Sequence, residues 1–181
     1  TAEKIERGLQ KGEKRYEITD SGISPRWIPQ KGLKPYISTS DEHTEDGKST
    51  ENAEEIKAMS EKRERKLEML KSELPEPKLY GSSSAQVVFV GYGSSKNALL
   101  DTKQHRDDIA YLHYDYIFPL KTETLMKLAE EGKRLILIEN NQGGQFGKLI
   151  TEECAYQFKE KLLKYNGRSF SLEDILDYLD N

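Results

Sequence analysis

Three short apolar runs in the second half of the chain constrain its fold more than any other feature. They cover residues 86–90, 109–114 and 135–138. The first and third runs are continuous rather than alternating, which is typical of strands covered on both faces. The segments between them, 94–103 and 121–131, are helix-length and long enough to return the chain for parallel pairing. We therefore expect a β-α-β-α-β unit in a small α/β domain, a parallel sheet in a three-layer arrangement.

The loops that follow the first and third runs are the predicted contact surface. In open α/β sheets, ligands and partners meet the carboxyl ends of the strands. Both loops pass into helices, and free backbone N–H groups at a helix start suit an anion or a carbonyl oxygen. Each exposed contact of this kind is worth only about 0.3–1 kcal/mol, so it orients a partner rather than defining a tight site. The predicted loop or interface residues are Gly91, Gly93, Ser94, Ser95, Asn140, Asn141 and Gln145.

Composition narrows the class of protein. Only 35% of the residues are hydrophobic and 33% are charged, which predicts an extended or partner-covered portion. A net charge of −4 gives no reason to expect nucleic acid. The single cysteine, Cys154, excludes an internal disulfide and a cysteine metal cluster, and fits a reducing cytoplasm. No apolar run approaches the roughly 20 residues that span a bilayer. Because the first residue is Thr1, we interpret the chain as a piece of a longer polypeptide.

The first 48 residues do not read as a normal domain start. Apolar residues are sparse and Gly and Pro recur, so the segment cannot stabilise itself. Its aromatic residues Tyr16, Trp27 and Tyr36 favour an extended strap that lies along another surface. We expect a short strand over 15–19 and a turn over 20–22. The acidic loop 41–47 is interpreted as a solvated turn rather than a cation site, because it lacks calcium-loop spacing.

Residues 51–74 are predicted to form a helix capped by Ser49 or Thr50. Its apolar stripe is narrow, which indicates a helix resting on a surface. Pro75 ends the helix, and residues 75–85 are interpreted as a linker, so that the compact domain starts near Lys78 or Gln86. A basic cluster among neighbouring glutamates is interpreted as a charged solvent face; it comprises Lys62, Arg63, Arg65 and Lys66.

A second long helix is predicted over residues 145–165. Apolar side chains recur there every four residues, so we expect Cys154 to pack in the core rather than to catalyse. Asn166 and Gly167 are predicted to end this helix. Ser171 with Asp174 resembles a weak capping box for a last helix, 172–179. The periodic residues are Phe146, Ile150, Cys154, Phe158 and Leu162.

No catalytic motif is convincing. Gly91-x-Gly93 after a strand is similar to a dinucleotide fingerprint, but the third glycine position holds Lys96. Ser94 and Ser95 do not stand in a nucleophile elbow. His113 and Asp115 share one side of a strand and are suited to acid–base work, but a structural hydrogen bond is favoured. The residues alone predict a non-catalytic α/β domain with a strap and a helix attached.

A set of segments, in order and spacing, resembles the C-terminal part of the α subunit of 2-oxoacid:ferredoxin oxidoreductases, the 2-oxoglutarate enzymes above all. Two positions depart from the family pattern, Ser169 where Pro is frequent and Gly143 where Thr is frequent. The segments that carry the resemblance are 15–26, 40–43 with Gly47, 61–63 with 66–68, 90–96, 112–120, 139–145 and 166–168.

The resemblance implies three parts. Residues 1–48 would be the tail of a preceding pyrimidine-binding thiamine diphosphate domain, 49–77 a linking helix, and 78–181 a transketolase C-terminal-like domain. The family oxidatively decarboxylates a 2-oxoacid, reduces ferredoxin through an iron–sulfur cluster and releases acyl-CoA. Thiamine diphosphate and Mg²⁺ would sit on the β subunit, and the cluster would also lie elsewhere. None of them is expected on this chain alone. The implied partners are the β subunit, the remainder of the α subunit, CoA and ferredoxin.

Arg15 is the first choice for a substrate or CoA contact, since a guanidinium holds a carboxylate or phosphate in a bidentate pair. Ser24 and Arg26, in the extended strap, are second choices. Pairing of Arg15 with neighbouring carboxylates is an equally weighted alternative. No catalytic residue is expected on this chain. Other readings remain open: a pyruvate enzyme, a non-enzymatic α/β module that binds a partner chain, or a nucleotide-binding domain built on Gly91 and Gly93.

Overall fold

The computed structural model describes residues 14–25 and 35–180. They fall into two compact units, one ending at Glu73 and one beginning at Leu74, and each is described by itself. Among the described residues, no helix combines the length and the apolar character needed to cross a membrane.

The first unit contains the predicted long helix, α1, which runs over Ala53–Glu73. Its cap differs from the prediction. The side-chain oxygen of Asn52 accepts the amides of Glu54 and Glu55 at 3.0 and 3.2 Å. Asn52 therefore satisfies the first orphan donors of the helix. Thr50 holds the capping residue instead, because its hydroxyl oxygen accepts a hydrogen bond from the amide of Asn52 at 3.1 Å.

The segment 14–25 is irregular, and the strand predicted over 15–19 does not form. Its backbone donors find other partners, since the amide of Tyr16 donates to the carbonyl of Glu45 and the amide of Ile18 to the Glu45 carboxylate, both at 2.9 Å. The predicted turn over 20–22 is confirmed, with the Gly22 amide donating to Thr19 at 3.1 Å. The acidic loop is also a turn, closed by a bridge between His43 and Ser49.

The second unit contains a five-stranded sheet. The strands are β1 (Lys78–Gly81), β2 (Val87–Tyr92), β3 (Ile109–Tyr114), β4 (Arg134–Glu139) and β5 (Glu160–Leu163). Their order is β1-β3-β2-β4-β5. The central strand β2 pairs in parallel with β3 and β4, and β4 pairs in parallel with β5. The predicted β-α-β-α-β unit is therefore confirmed, and its three strands occupy the middle of the sheet.

Four helices of this unit cover both faces of the sheet. They are α2 (Ser95–His105), α3 (Glu123–Glu130), α4 (Gln145–Cys154) and α5 (Leu172–Asp180). Alternate strand residues belong to two separate cores. Val88 and Val90 pack with side chains of α3 and α4, whereas Phe89 packs with side chains of α2 and α5. This three-layer arrangement explains why the central strands read as continuous apolar runs.

Two parts of the predicted organisation were wrong. The segment interpreted as a linker contains β1, which pairs antiparallel with β3. The helix predicted to reach residue 165 ends at Cys154, where Ala155 adopts a left-handed conformation with φ 59°. Phe158 and Leu162 continue the four-residue spacing, but they bury against opposite faces of the sheet. Residues after the helix instead form β5, which pairs with β4, and its adjacent residues Leu162 and Leu163 pack on opposite faces of the sheet as strand residues do.

The predictions of a last helix and of a cysteine that packs against the core are confirmed. The amide of Ser171 donates to the Asp174 carboxylate at 2.8 Å, and the Asp174 amide donates to the Ser171 hydroxyl oxygen at 3.4 Å. The predicted capping box of α5 is therefore confirmed. Cys154 is partly buried against the core, and its thiol donates to the carbonyl of Ile150 at 3.2 Å.

Candidate functional site

The sheet has one topological switch point, between β2 and β4. The connection leaving β2 leads to α2 on one face, whereas the connection leaving β4 leads to α4 on the other. In open α/β sheets, the crevice at such a point, outside the carboxyl ends of the strands, is the usual place for a ligand. Ser94 follows β2 and Asn140 follows β4, and the Ser94 hydroxyl donates to the Asn140 side-chain oxygen at 3.4 Å.

A groove opens at this switch point. Asn140 also donates from its amide nitrogen to the carbonyl of Arg168 at 3.4 Å, which ties in the loop after β5. Lys164 lines one wall, but its ammonium group is bound to the Asp174 carboxylate at 2.5 Å. The remaining lining residues are exposed and polar or small, with Tyr165 the one aromatic among them: Ser94, Asn140, Tyr165, Gly167, Arg168 and Ser169.

The start of α4 does not offer free amides, contrary to the expectation. The carboxylate of Glu139, only 2% exposed, accepts the amides of Phe146 at 3.1 Å and Gly147 at 2.9 Å. Asn141 supports this arrangement: its amide nitrogen donates to Glu139, and its side-chain oxygen accepts the amide of Gln145. An internal carboxylate therefore takes the place that an external anion would occupy.

The glycines and serines of the loop after β2 have different roles. Gly91 is buried, and a Cβ there would lie 2.8 Å from the carbonyl oxygen of Ile138, so close strand packing requires glycine. Ser95 is also buried, and its hydroxyl donates to the carbonyl of Tyr92 at 3.1 Å. Gly93 is exposed with φ 63°, and a Cβ there would meet nothing within 4 Å. Gly93 and Ser94 are therefore accessible, whereas Gly91 and Ser95 shape the loop.

A buried polar chain runs along β3. The hydroxyl of Ser95 hydrogen-bonds that of Tyr111 at 3.4 Å, Tyr111 hydrogen-bonds Nδ1 of His113 at 2.7 Å, and Nε2 of His113 lies 3.1 Å from the Asp115 carboxylate. The predicted structural hydrogen bond between His113 and Asp115 is confirmed. Burial, with a contribution from Lys96, lowers the pKa of His113. Burial likewise raises the pKa of Tyr111.

Arg15 and Ser24, two of the three residues predicted to contact substrate or CoA, lie in the first unit. The Arg15 guanidinium carbon lies 4.6 Å from the centre of the Tyr36 ring and 5.4 Å from that of Tyr16, within cation–π range. The Ser24 hydroxyl donates to the carbonyl of Glu17 at 3.0 Å. Arg26 lies outside the described residues.

The sequence predicted a solvent face for the basic cluster of α1, and this is wrong for Lys62 and Arg65 but holds for the exposed Arg63 and Lys66. Lys62 is only 6% exposed, and its ammonium group donates to the carbonyl of Tyr16 at 3.1 Å. Arg65 donates to the carbonyl of Thr19 at 3.4 Å, and Arg63 binds the Glu42 carboxylate at 2.7 Å. These cations hold segment 14–25 and the acidic loop against the helix.

The described residues do not fit the metal groups that the family resemblance implies for the complex. Within 14–25 and 35–180, no three His, Cys, Asp or Glu side chains lie close enough to hold a metal ion. The chain has one cysteine, whereas an iron–sulfur cluster takes about four thiolates. No reaction step is assigned to those groups on this chain.

The fold and the groove define a three-layer α/β domain of the doubly wound class. No family model matches the chain. It is 31% identical to a 2-oxoacid:ferredoxin oxidoreductase subunit alpha of Sulfurisphaera tokodaii over 185 residues, which cover 97% of this chain and 29% of that subunit. It is also 31% identical to the subunit alpha of Saccharolobus solfataricus, over 90% of this chain and 26% of that subunit.

A solved structure shares the fold. It is a 2-oxoglutarate:ferredoxin oxidoreductase from Magnetococcus marinus with 2-oxoglutarate, coenzyme A and succinyl-CoA bound. The TM-score is 0.80 with 22% sequence identity, covering 95% of this chain and 31% of that one. The chain is a homologue of part of the alpha subunit of 2-oxoacid:ferredoxin oxidoreductases, so the resemblance is confirmed. It spans about a third or less of the proteins that it matches.

Proposed function

We propose that this chain is the C-terminal part of the alpha subunit of a 2-oxoacid:ferredoxin oxidoreductase, in which it serves assembly rather than catalysis. The assembled enzyme would oxidatively decarboxylate a 2-oxoacid, form acyl-CoA and reduce ferredoxin in the cytoplasm. The main support for this proposal is that the chain is 31% identical to an alpha subunit over 97% of its own length. Thiamine diphosphate, Mg²⁺ and the iron–sulfur cluster would belong to the β subunit and to other parts of the complex.

The proposed substrate is 2-oxoglutarate, with pyruvate second. In sequence, segment 40–43 and the helix after it resemble those of the 2-oxoglutarate enzymes, and the solved structure that shares the fold holds 2-oxoglutarate. At 22% identity that structure supports the fold, so the choice of substrate rests on the assay below.

Purification of the native assembly without oxygen tests this function. We expect the chain to co-purify with a β subunit, thiamine diphosphate and iron, and the assembly to reduce ferredoxin faster with 2-oxoglutarate than with pyruvate when CoA is present. A particle of this chain's own mass, 20.8 kDa, without cofactor or activity, contradicts the proposal.

Arg15 is the proposed contact for the 2-oxoacid carboxylate or a CoA phosphate, with Ser24 and Arg26 assisting. The rings of Tyr36 and Tyr16 lie close enough to Arg15 to orient its guanidinium. Loss of a charge-assisted hydrogen bond costs about 1.5–3 kcal/mol. In the assembled enzyme, Arg15→Ala is therefore expected to raise the KM for one of these substrates by about tenfold or more. Lys48→Ala, an exposed cation of the same unit, is the matched control and should leave both KM values unchanged.

An exposed apolar loop favours a second candidate function, partner binding without catalysis. Tyr116, Ile117 and Phe118 follow β3, and they are 50%, 41% and 66% exposed. Contiguous exposed apolar residues commonly mark a protein interface. Phe118→Asp should release the chain from its native assembly while leaving its circular dichroism unchanged. Retention in the assembly by this variant would remove the loop from the interface.

A further inference from the structure

We propose that the outer edge of β5 binds an extended acidic segment of a partner protein, which adds to the sheet as a further strand. β5 is the last strand of the described sheet, and it pairs with β4 alone. Beside it, Lys148 and Lys161 line a cleft of about 250 Å³ between α4 and β5, here called the edge cleft. The strand edge offers backbone partners to such a segment, and the edge cleft offers charges to its side chains.

The backbone of β5 has two unpaired positions along its outer edge. The Lys164 amide donates to the carbonyl of Glu139 in β4 at 3.1 Å, which fixes the phase of the parallel ladder. Successive residues of a strand direct their backbone groups to opposite sides. The N–H and C=O groups of Leu162 therefore face β4, whereas those of Lys161 and Leu163 face outward. No described strand pairs with that side.

The edge cleft is a preformed surface. Phe158 lines it from the core and is only 7% exposed. The Thr151 hydroxyl lies 2.9 Å from the carbonyl oxygen of Gly147 and 2.7 Å from that of Tyr156, which ties α4 to the segment before β5. The walls of the edge cleft are therefore held by contacts within the chain.

The charges of the edge cleft favour carboxylates. Lys148 and Lys161 are exposed, and neither forms an ion pair with another described residue. No carboxylate lines the edge cleft in the part of the chain that the structure describes. The neighbouring carboxylate of Glu139 is buried and accepts amides of α4 instead. Lysines on a short edge strand keep neutral strands from pairing, so two of them beside one open edge select an acidic strand.

Amide hydrogen exchange of the 181-residue chain tests strand addition, with a short capped peptide in which Glu and Thr alternate as the probe. We expect slower exchange at the outward amides of Lys161 and Leu163 when the peptide is present, and little change at Leu162, which already pairs with β4. The same peptide methylated at every backbone nitrogen keeps its charge but cannot join a ladder, and it should give no protection. Absence of protection by the acidic peptide at about 1 mM, or equal protection by a peptide with Lys in place of Glu, overturns the proposal.

Matched variants test the charges. Lys148→Gln and Lys161→Gln should each weaken binding of the acidic peptide by about threefold to fivefold at low salt, the usual effect of losing one exposed ion pair. Lys103→Gln removes the same charge from α2, whose buried side chains pack on the opposite face of the sheet, and should leave binding unchanged. Equal weakening by all three variants would mean that overall charge attracts the peptide, and it contradicts the site.

Nucleic acid is the alternative polyanion. Short single-stranded DNA carries negative charge without a peptide backbone, so tighter binding of DNA than of the acidic peptide overturns strand addition. None of these results depends on the oxidoreductase assembly. Failure of the peptide to protect β5 leaves the proposed function standing, and failure of the chain to assemble with a β subunit leaves the edge cleft standing.

Discussion

Different interactions stabilise the interior of each of the two units. In the second unit, the central strands are buried on both faces, and Ile136 and Ile138 are fully buried. In the described part of the first unit, Met59 is the one apolar side chain that is buried. Its irregular segment is fixed instead by cations of α1 that donate to backbone carbonyls. Apolar burial is not directional, whereas these contacts depend on individual atoms.

This difference predicts how each unit responds to substitution. A hydrophobic core loses stability in proportion to the volume removed, and it unfolds cooperatively. A segment held by a few polar contacts opens locally, with a free energy below that of global unfolding.

Ile136→Ala should have the largest effect, because it leaves a cavity at the centre of the sheet. Loss of a buried isoleucine to alanine costs about 2–5 kcal/mol. We expect about 3 kcal/mol less free energy of unfolding in urea, followed by circular dichroism. Ile117→Ala, at a side chain that is 41% exposed, is the control and should change stability by only about 0.5 kcal/mol. Similar losses in both variants would contradict a core that includes the buried side chains of β4.

Glu139→Gln should come next, because it removes the internal carboxylate at the start of α4. Gln keeps the shape but presents a neutral oxygen and an amide to the N–H groups of Phe146 and Gly147. A hydrogen bond to a charged group contributes about 1.5–3 kcal/mol, so a loss of about 2 kcal/mol is expected. Glu130→Gln, exposed at the end of α3, is the control. Unchanged stability of the Glu139 variant would mean that the carboxylate charge is not needed there.

The sequence predicted the middle of the fold better than its margins. Three apolar runs were sufficient for β2, β3 and β4, because burial on both faces leaves a local signal. β5 was missed, because Phe158 and Leu162 mimic helical spacing while packing on opposite faces. The sequence also failed to predict the groove residues that follow β5, because β5 itself was not predicted. Ser94 and Asn140 were predicted as loop residues, whereas Tyr165 and Arg168 reach the groove only through a strand that was interpreted as a helix.

The first unit shows a second limit of sequence patterns. Lys62 was interpreted as a solvent residue because its neighbours are charged. Its partner, the carbonyl of Tyr16, lies 46 positions away. A lysine buries its apolar stem while its ammonium group reaches a single acceptor. The charged residues around Lys62 in the sequence therefore do not predict its contact with a carbonyl 46 positions away.

Gly22→Ala should release segment 14–25 without unfolding the second unit. Gly22 has φ 72°, and a Cβ there would meet the Lys62 carbonyl oxygen and lie 2.7 Å from the Lys66 amide nitrogen, both in the helix backbone. We expect faster hydrogen exchange at residues 14–25 and unchanged protection in β2 and β4. Gly132→Ala is the control, since φ is 74° there but a Cβ meets nothing within 4 Å. It should show only the conformational cost, about 1 kcal/mol. Equal opening in the two variants would mean that close packing on α1 is not what fixes the segment.

The smallest effect concerns the buried polar chain, where the second unit depends on individual atoms as the first one does. His113 faces Tyr111 and Asp115 of its own strand and loop, Lys96 of α2 and the ring of Tyr80 from β1. Burial lowers the pKa of His113 in the folded state. The unfolded chain, with a histidine pKa of about 6.5, therefore takes up the proton first as pH falls. The free energy of unfolding should decrease below about pH 6.5 and level off once the folded state is protonated too.

Urea unfolding of the native chain and His113→Gln, at about pH 7.5 and about pH 5, isolates this contribution from that of the carboxylates. The native chain should lose more stability over this interval than the variant does. His105→Gln, at the exposed end of α2, is the matched control and should retain the full pH dependence of the native chain. If the two histidine variants behave alike, the polar chain tolerates a proton. The second unit would then depend on individual atoms at Glu139 but not at His113, and the contrast with the first unit would be sharper.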